Sequence, residues 1–300
     1  MNIVVAGGTG FIGSSLIPLL GAGGHHVSVL TREPEQGPLI PGVTQVRWDG
    51  VTQGDWTAHL RKADAVINLA GESIGAGRWT PARKERIIAS RVNSTRALLE
   101  SIRRGGEKPS VFISSSAVGY YGPVESGDVT EDHPPGSGFL ADLCLRWEQE
   151  AMAAGQLGAR VVILRTGVVI GEKGGALERM LLPFRLCAGG PIGTGKQWFP
   201  WVHRDDVAAA VLFAIANQAL AGPVNIVAPE SVDMKGFCSA LGRALSRPSW
   251  LPVPAAALRA ALGEMADMIL TGQRVVPAKL LALGYRFRYP ALAQALASVV

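Results

Sequence analysis

The residues with the clearest chemical purpose lie at the start of the chain. Gly7-Gly8-Thr9-Gly10-Phe11-Ile12-Gly13 follows the apolar run Ile3–Ala6 and opens a helix predicted over Phe11–Leu20. Read as G-x-x-G-x-x-G, the run lets Gly7 make a tight turn, Gly10 admit backbone N–H groups to a pyrophosphate, and Gly13 allow close helix–sheet packing. Thr9, Phe11 and Ile12 complete the turn, and the positive end of the helix dipole faces the same anion. No Gly-Lys-Ser/Thr follows, which excludes the other common phosphate loop.

A second test falls about 20 residues further on, where an acidic side chain at the end of the next strand would hold a ribose 2′-hydroxyl. This chain has Leu30-Thr31-Arg32 there. A hydroxyl and a cation suit a 2′-phosphate, so the expected dinucleotide is NADP(H). Glu33, one step later, opposes that phosphate.

The elements that must hold these groups are those of an α/β fold, a Rossmann-type doubly wound parallel sheet. Up to about residue 170, short β-branched runs alternate with longer helical stretches. Strands are predicted at Ile3–Ala6, His26–Leu30, Gln45–Arg47, Ala65–Leu69, Val111–Ser114 and Arg160–Leu164. Most are continuous apolar runs, as expected of parallel strands buried on both faces. A long helix is predicted over Pro81–Arg104, with Ile87, Ile88, Val92, Leu98, Leu99 and Ile102 on one face and many arginines elsewhere. Beyond residue 170 the chain turns to Gly/Pro-rich loops and then to Ala- and Leu-rich helices. The expected division is an NADP-binding domain over 1–170, to which 200–228 return, and a smaller, mostly helical substrate and lid region over 171–300. In that second part Arg204–Asn217 and Met234–Ser246 read as helices and Gly222–Val227 as a strand.

Composition narrows the function classes. With 300 residues, 48% of them hydrophobic and 18% charged, the chain is long and apolar enough to bury a large core, which excludes disorder. The net charge of +5 is spread along the sequence. It supplies no basic arm for nucleic acid and suits a small anionic ligand. Cys144, Cys187 and Cys238 form neither a disulfide framework nor a C-x-x-C pair, so a reducing cytoplasm is the expected compartment. No basic leader and no run of about 18 apolar residues points to export or a membrane span. His25, His26, His59, His133 and His203 make no metal-ligand array. Partners are thus expected to be small molecules, with the oligomeric state left open and a homodimer as one alternative.

Several motifs together resemble the extended short-chain dehydrogenase/reductase superfamily: Gly7–Gly13, Asn68-Leu69-Ala70-Gly71, Ser114-Ser115-Ser116 and Phe199-Pro200-Trp201-Val202-His203-Arg204-Asp205-Asp206. More narrowly, Asn68–Glu72, Arg78-Trp79, Ser116–Gly122, Gly189–Gly193 and the stretch Gly272–Lys279 look like epimerase-family proteins of the SDR39U-like and YfcH-like type. The likeness implies a Rossmann-type fold holding NADP(H), with a small C-terminal domain closing over a substrate cleft. It would place Thr31 and Arg32 on the 2′-phosphate and the Asn68–Gly71 turn beside the cofactor, with Leu69 and Ala70 on its adenosine-ribose side. Val169 would lie near the nicotinamide. Arg91 is either a further cofactor contact or part of a solvated helix face.

In that superfamily hydride transfer uses a Tyr-x-x-x-Lys pair, in which the lysine lowers the tyrosine's pKa and holds the ribose while the tyrosine moves the proton. This chain has no such pair. Alignment on Glu148 puts Leu140 at the tyrosine position and Cys144 at the lysine position. The polar groups that remain near the fifth strand are Ser116, Tyr120 and Tyr121. Ser116 would either bond a substrate oxygen or cap local backbone, and either tyrosine would serve as proton donor or as a packing platform. Cys144 reads as a buried thiol, and His203, Asp205 and Asp206 as structural. Trp198 and Trp201, with Arg78-Trp79, either line a pocket or pack the two regions together. Two functions fit: an oxidoreductase or epimerase-like enzyme with a non-standard proton donor, acting on a small carbonyl, hydroxyl or nucleotide-sugar-like compound; or a catalytically silent NADP(H)-binding sensor or scaffold.

Overall fold

In a computed structural model, which describes residues 1–35, 40–105 and 107–300, the β-branched runs become strands whose partners follow from burial. They are β1 (Asn2–Ala6), β2 (His26–Thr31), β3 (Val43–Arg47), β4 (Ala65–Asn68), β5 (Val111–Ala117), β6 (Asp128–Val129), β7 (Arg160–Thr166), β8 (Val168–Ile170), β9 (Trp201–His203), β10 (Gly222–Ile226) and β11 (Arg274–Val275). Seven of them form one parallel sheet in the order β10-β7-β5-β4-β1-β2-β3. Two short parallel pairs, β8 with β9 and β6 with β11, lie outside it.

The helices are α1 (Gly13–Ala22), α2 (Thr57–Leu60), α3 (Pro81–Arg104), α4 (Phe139–Met152), α5 (Gly175–Arg185), α6 (Arg204–Ala216), α7 (Met234–Ala244), α8 (Ala255–Leu262), α9 (Asp267–Leu270), α10 (Ala278–Ala282) and α11 (Leu292–Ala297). Leu16 and Leu20 of α1 and Val207 and Val211 of α6 cover one sheet face over Ile3 and Val5. Leu98 and Ile102 of α3 and Ala151 of α4 cover the other over Val4 and Phe112. Helix α3 has the bounds its pattern predicts, with Pro81 in its first turn and Thr80 capping it through a bond from the Arg83 N–H.

The sheet sets the site. Ala6 at the end of β1 pairs with Leu30 on one side and Asn68 on the other. The strand order reverses at β1, so a crevice opens over the carboxyl ends of β1, β2 and β4.

The C-terminal region has its own core of Phe199, Trp201, Phe237, Leu241, Leu292 and Leu296. Buried side chains of the sheet region hold it by its backbone. Asp206 accepts hydrogen bonds from the N–H groups of Arg288 (2.6 Å) and Tyr289 (2.9 Å). Glu131 Oε1 accepts from that of Lys279 (3.2 Å) and, within the sheet, from that of Asn225 (3.1 Å). No helix of the described residues is long and apolar enough to cross a membrane.

Candidate functional site

The glycine turn is built by exclusion of side chains. Gly7 takes φ +74°, and a Cβ there would lie 2.9 Å from the backbone of both Leu69 and Ala70. The turn after β1 is therefore pressed against the turn after β4. A Cβ on Gly13 would lie 2.1 Å from the Gly8 carbonyl oxygen. The third glycine thus closes the turn on itself, where helix–sheet packing was expected, and α1 begins at Gly13 instead of Phe11. The Gly10 N–H is spent on the Gly7 carbonyl at 3.1 Å, but among the described residues the Phe11 and Ile12 N–H groups have no protein acceptor. Two orphaned donors at the start of a ten-residue helix, beside backbone cleared of Cβ atoms, fit the pyrophosphate of a dinucleotide.

The Phe11 side chain leaves the turn for a socket of glycines. Cβ atoms on Gly171, Gly174 and Gly175 would lie 3.2, 3.0 and 2.8 Å from its ring, and the Arg204 guanidinium stands 5.2 Å from the ring centroid. The loop after β8, the strand that carries the half-buried Val169, thereby meets the phosphate turn. On the other flank, the Thr9 and Thr31 hydroxyls lie 3.4 Å apart. Arg32 is exposed beside Thr31 and makes no ion pair among the described residues.

Asn68 departs from its expected role. Its side chain is fully buried, donates to Thr95 Oγ1 (2.9 Å) and accepts from the Ala70 N–H (3.1 Å). It shapes the Leu69–Gly71 turn and has no face toward a cofactor. Arg91 supports the same turn from α3, donating to the Glu72 carbonyl at 3.0 Å, with its guanidinium carbon 3.0 Å from where a Gly71 Cβ would be.

The candidate catalytic groups are drawn below the crevice. Ser116 is buried and donates its proton to Glu148 Oε1 at 2.6 Å. Arg165 grips both Glu148 oxygens, at 3.0 and 2.8 Å, and also donates to the Tyr121 hydroxyl and the Glu131 carbonyl, both at 3.1 Å. Tyr121 gives its own proton to Asn225 Oδ1 at 2.6 Å. Burial pushes its pKa up to about 12, so it is a poor proton donor. Tyr120 is also buried, its ring 3.5 Å from the Arg165 guanidinium carbon. Ser116 and Tyr121 are thus committed to protein partners, whereas the Tyr120 hydroxyl has no protein partner among the described residues. Sequence reading missed Arg165, Glu131 and Asn225. The available signal was a charged residue ending the apolar run Val161-Val162-Ile163-Leu164, since a buried arginine needs partners.

Leu140 lies against Gly119, a Cβ on which would be 3.2 Å away. Cys144 is buried, and that burial raises its pKa to about 11. The Cys238 thiol is likewise raised to about 12, while Cys187 is exposed. Iodoacetamide at about pH 8 should therefore alkylate Cys187 alone in the native protein. A single adduct mapped by mass spectrometry is the expected result, and labelling of native Cys144 would contradict its placement.

Trp198 and Trp201 pack within the C-terminal region. Trp201 is buried and donates to the Glu230 carbonyl at 3.0 Å. Trp198 lies 5.3 Å from the Arg274 guanidinium carbon. His203 caps α6 by accepting the Asp205 N–H, while Asp205 accepts from Ser15 of α1 at 2.7 Å. Arg78 crosses to the C-terminal region, donating to the Ala261 carbonyl at 2.8 Å, while the Trp79 ring stands 4.8 Å from Phe139 of α4.

A nucleotide crevice with this turn, in a sheet of this order, defines a Rossmann-type dinucleotide-binding protein. The NAD dependent epimerase/dehydratase family matches residues 3–227, and the chain belongs to it; a domain of unknown function, DUF1731, matches residues 253–299. The chain is 42% identical over 303 residues to epimerase family protein YfhF of Bacillus subtilis, covering 100% of this chain and 98% of that one. It is 41% identical over 305 residues to epimerase family protein SDR39U1 of Bos taurus, with both chains fully covered. The crystal structure of human SDR39U1 with NADPH superposes with a TM-score of 0.88 at 37% identity, covering 100% of this chain and 99% of the other.

Proposed function

We propose that this chain holds NADP(H) across the Gly7–Gly13 turn and presents it to a small carbonyl, hydroxyl or nucleotide-sugar-like compound, as an oxidoreductase or epimerase-like enzyme with a non-standard proton donor. The observation that carries the reading is the contact of Gly7 with Leu69 and Ala70 beside the orphaned Phe11 and Ile12 N–H groups. These N–H groups would hold pyrophosphate oxygens, and Thr31 and Arg32 the 2′-phosphate. The relative crystallised with NADPH supports the choice of dinucleotide. When bound, NADP(H) supplies or accepts a hydride. With Ser116 committed to Glu148 and Tyr121 to Asn225, Tyr120 is the remaining side-chain candidate for the accompanying proton.

That same commitment favours a second reading, a catalytically silent NADP(H)-binding sensor or scaffold. The free thiols support residence in a reducing compartment such as the cytoplasm.

Titration of NADPH by fluorescence, with NADH as competitor, tests the binding. NADPH should bind at least about tenfold more tightly, and Arg32→Ser should remove most of that advantage. Equal or better binding of NADH overturns the assignment of Thr31 and Arg32. Aldehydes, quinones and nucleotide sugars then separate the two readings: turnover of NADPH supports the enzyme, and silence across all of them supports the sensor.

A further inference from the structure

Helix α8 carries an apolar face that nothing fully covers. Its sequence, Ala255-Ala256-Ala257-Leu258-Arg259-Ala260-Ala261-Leu262, has one polar residue, yet none of its residues is buried. The side turned from solvent, Ala255, Leu258 and Leu262, has the i, i+3, i+7 spacing of one helix face and stays half-exposed. The helix is tied to the sheet region by its end instead. Arg78 donates to the carbonyls of Ala260 and, at 2.8 Å, Ala261, and Lys84 pairs with Glu264 just beyond. A cation on the last carbonyls of a helix also suits its dipole.

The residues beside these ties are aromatic. Trp79 follows Arg78 and packs on Phe139, and the Lys84 ammonium stands 5.0 Å from the centroid of the same Phe139 ring. Phe139 opens α4, and Leu140 comes next, lying against Gly119 just beyond the end of β5. Trp79, Phe139 and Leu140 are each half-exposed. They form an apolar wall that runs from the carboxyl end of the sheet to the end of α8.

The charges around this wall are already spent. Over residues 72–86 and 255–264 every cation has a protein acceptor: Arg78 and Lys84 those above, Arg83 Glu72 (3.2 Å) and the Ser73 carbonyl (2.7 Å), Arg86 Glu72 (3.8 Å), and Arg259 Asp267 (3.5 Å). Arg179 reaches over from α5 to the Gly75 carbonyl. A nucleotide diphosphate is held by charge-assisted bonds from cations. Drawing Arg78, Lys84 or Arg179 to one would break a tie that joins the two regions. Half-open apolar surface beside neutralised charge suits an uncharged apolar ligand.

We infer that the crevice takes an uncharged, apolar carbonyl or hydroxyl compound between the Trp79–Phe139–Leu140 wall and the Leu258–Leu262 face of α8, and that it rejects nucleotide diphosphate sugars. The inference rests on the NADP(H)-dependent reading above and names the substrate class of that site. These five side chains act in binding alone. None of them carries a group that moves a proton.

The test is a binding comparison on the full chain with saturating NADPH. The probes are two apolar ketones, 2-acetonaphthone and 2-decanone, and UDP-glucose as the diphosphate, each titrated by calorimetry. The better ketone should bind at least about tenfold more tightly than UDP-glucose, and added salt should leave its affinity unchanged. Trp79→Ala and Leu262→Ser should each weaken that ketone about tenfold while holding NADPH within about twofold of the original protein. Leu262→Ser keeps the test decisive if Trp79→Ala misfolds, because it alters a helix with no buried residue. UDP-glucose binding as tightly as the ketones overturns the inference. So does the absence of saturable binding by either ketone, or a ketone affinity that Leu262→Ser leaves unmoved. Failure of the unsubstituted chain to bind NADPH is a different result, and it refutes the cofactor reading itself.

Discussion

Alanine in place of Gly13 should abolish measurable NADPH binding and lower the melting temperature by several degrees. The added Cβ would sit 2.1 Å from the Gly8 carbonyl oxygen and 2.4 Å from its carbon. Gly8 has little room to retreat, because a Cβ on it would already be 2.9 Å from Val29 and 3.1 Å from Ile17. Overpacking of this kind costs about 1–3 kcal/mol, and here it falls on backbone that cannot change rotamer. The strain also displaces the Phe11 and Ile12 N–H groups, so affinity should fall by roughly 100-fold or more, about 2.7 kcal/mol. Gly77→Ala is the control, since a Cβ there meets nothing within 4 Å. Retention of NADPH affinity by Gly13→Ala, within about threefold of the original protein, would remove the turn as the pyrophosphate seat.

Arg165→Met should be the more damaging change for stability. It removes both bonds to Glu148 together with those to Tyr121 and the Glu131 carbonyl. Glu148 would be left as a buried carboxylate bonded only to Ser116. Breaking a buried pair from one side costs about 3–5 kcal/mol, mostly from the stranded charge. Adding Glu148→Gln to Arg165→Met should restore part of the lost melting temperature, because the amide needs no counter-ion. A single substitution that melts like the original protein would show that the pair contributes little. Salt should have small effect on the difference, as both groups are nearly inaccessible.

What was legible in the sequence was what repeats locally. The runs at Ile3–Ala6, Ala65–Leu69 and Val111–Ser114 announced strands because both of their faces are covered. The spacing of glycines announced a turn because the Gly13 clash with Gly8 is local, whereas the Gly7 clash with Leu69 and Ala70 is not. The absence of Tyr-x-x-x-Lys from α4 was equally plain. The polar network beneath the crevice was not, because its partners are far apart in the chain: Tyr121 and Asn225 are separated by 104 residues. Ser116 and Tyr121 looked like catalysts because hydroxyl type can be read from sequence and hydroxyl direction cannot. Asn68 misled in the same way, its amide turning inward to Thr95. The pairs β8–β9 and β6–β11 escaped notice because strands of two or three residues carry no period.

The carboxylates of Glu131 and Asp206 end on backbone N–H groups of residues 279, 288 and 289. A main-chain donor is the same whatever residue carries it, proline excepted. These three attachments are therefore set by side chains of the sheet region, while Tyr285 and Gln273 of the C-terminal region return side-chain bonds to the Asp206 and Val118 carbonyls. At residues 279, 288 and 289 the joint therefore tolerates a change of side chain, proline excepted, without loss of these three bonds.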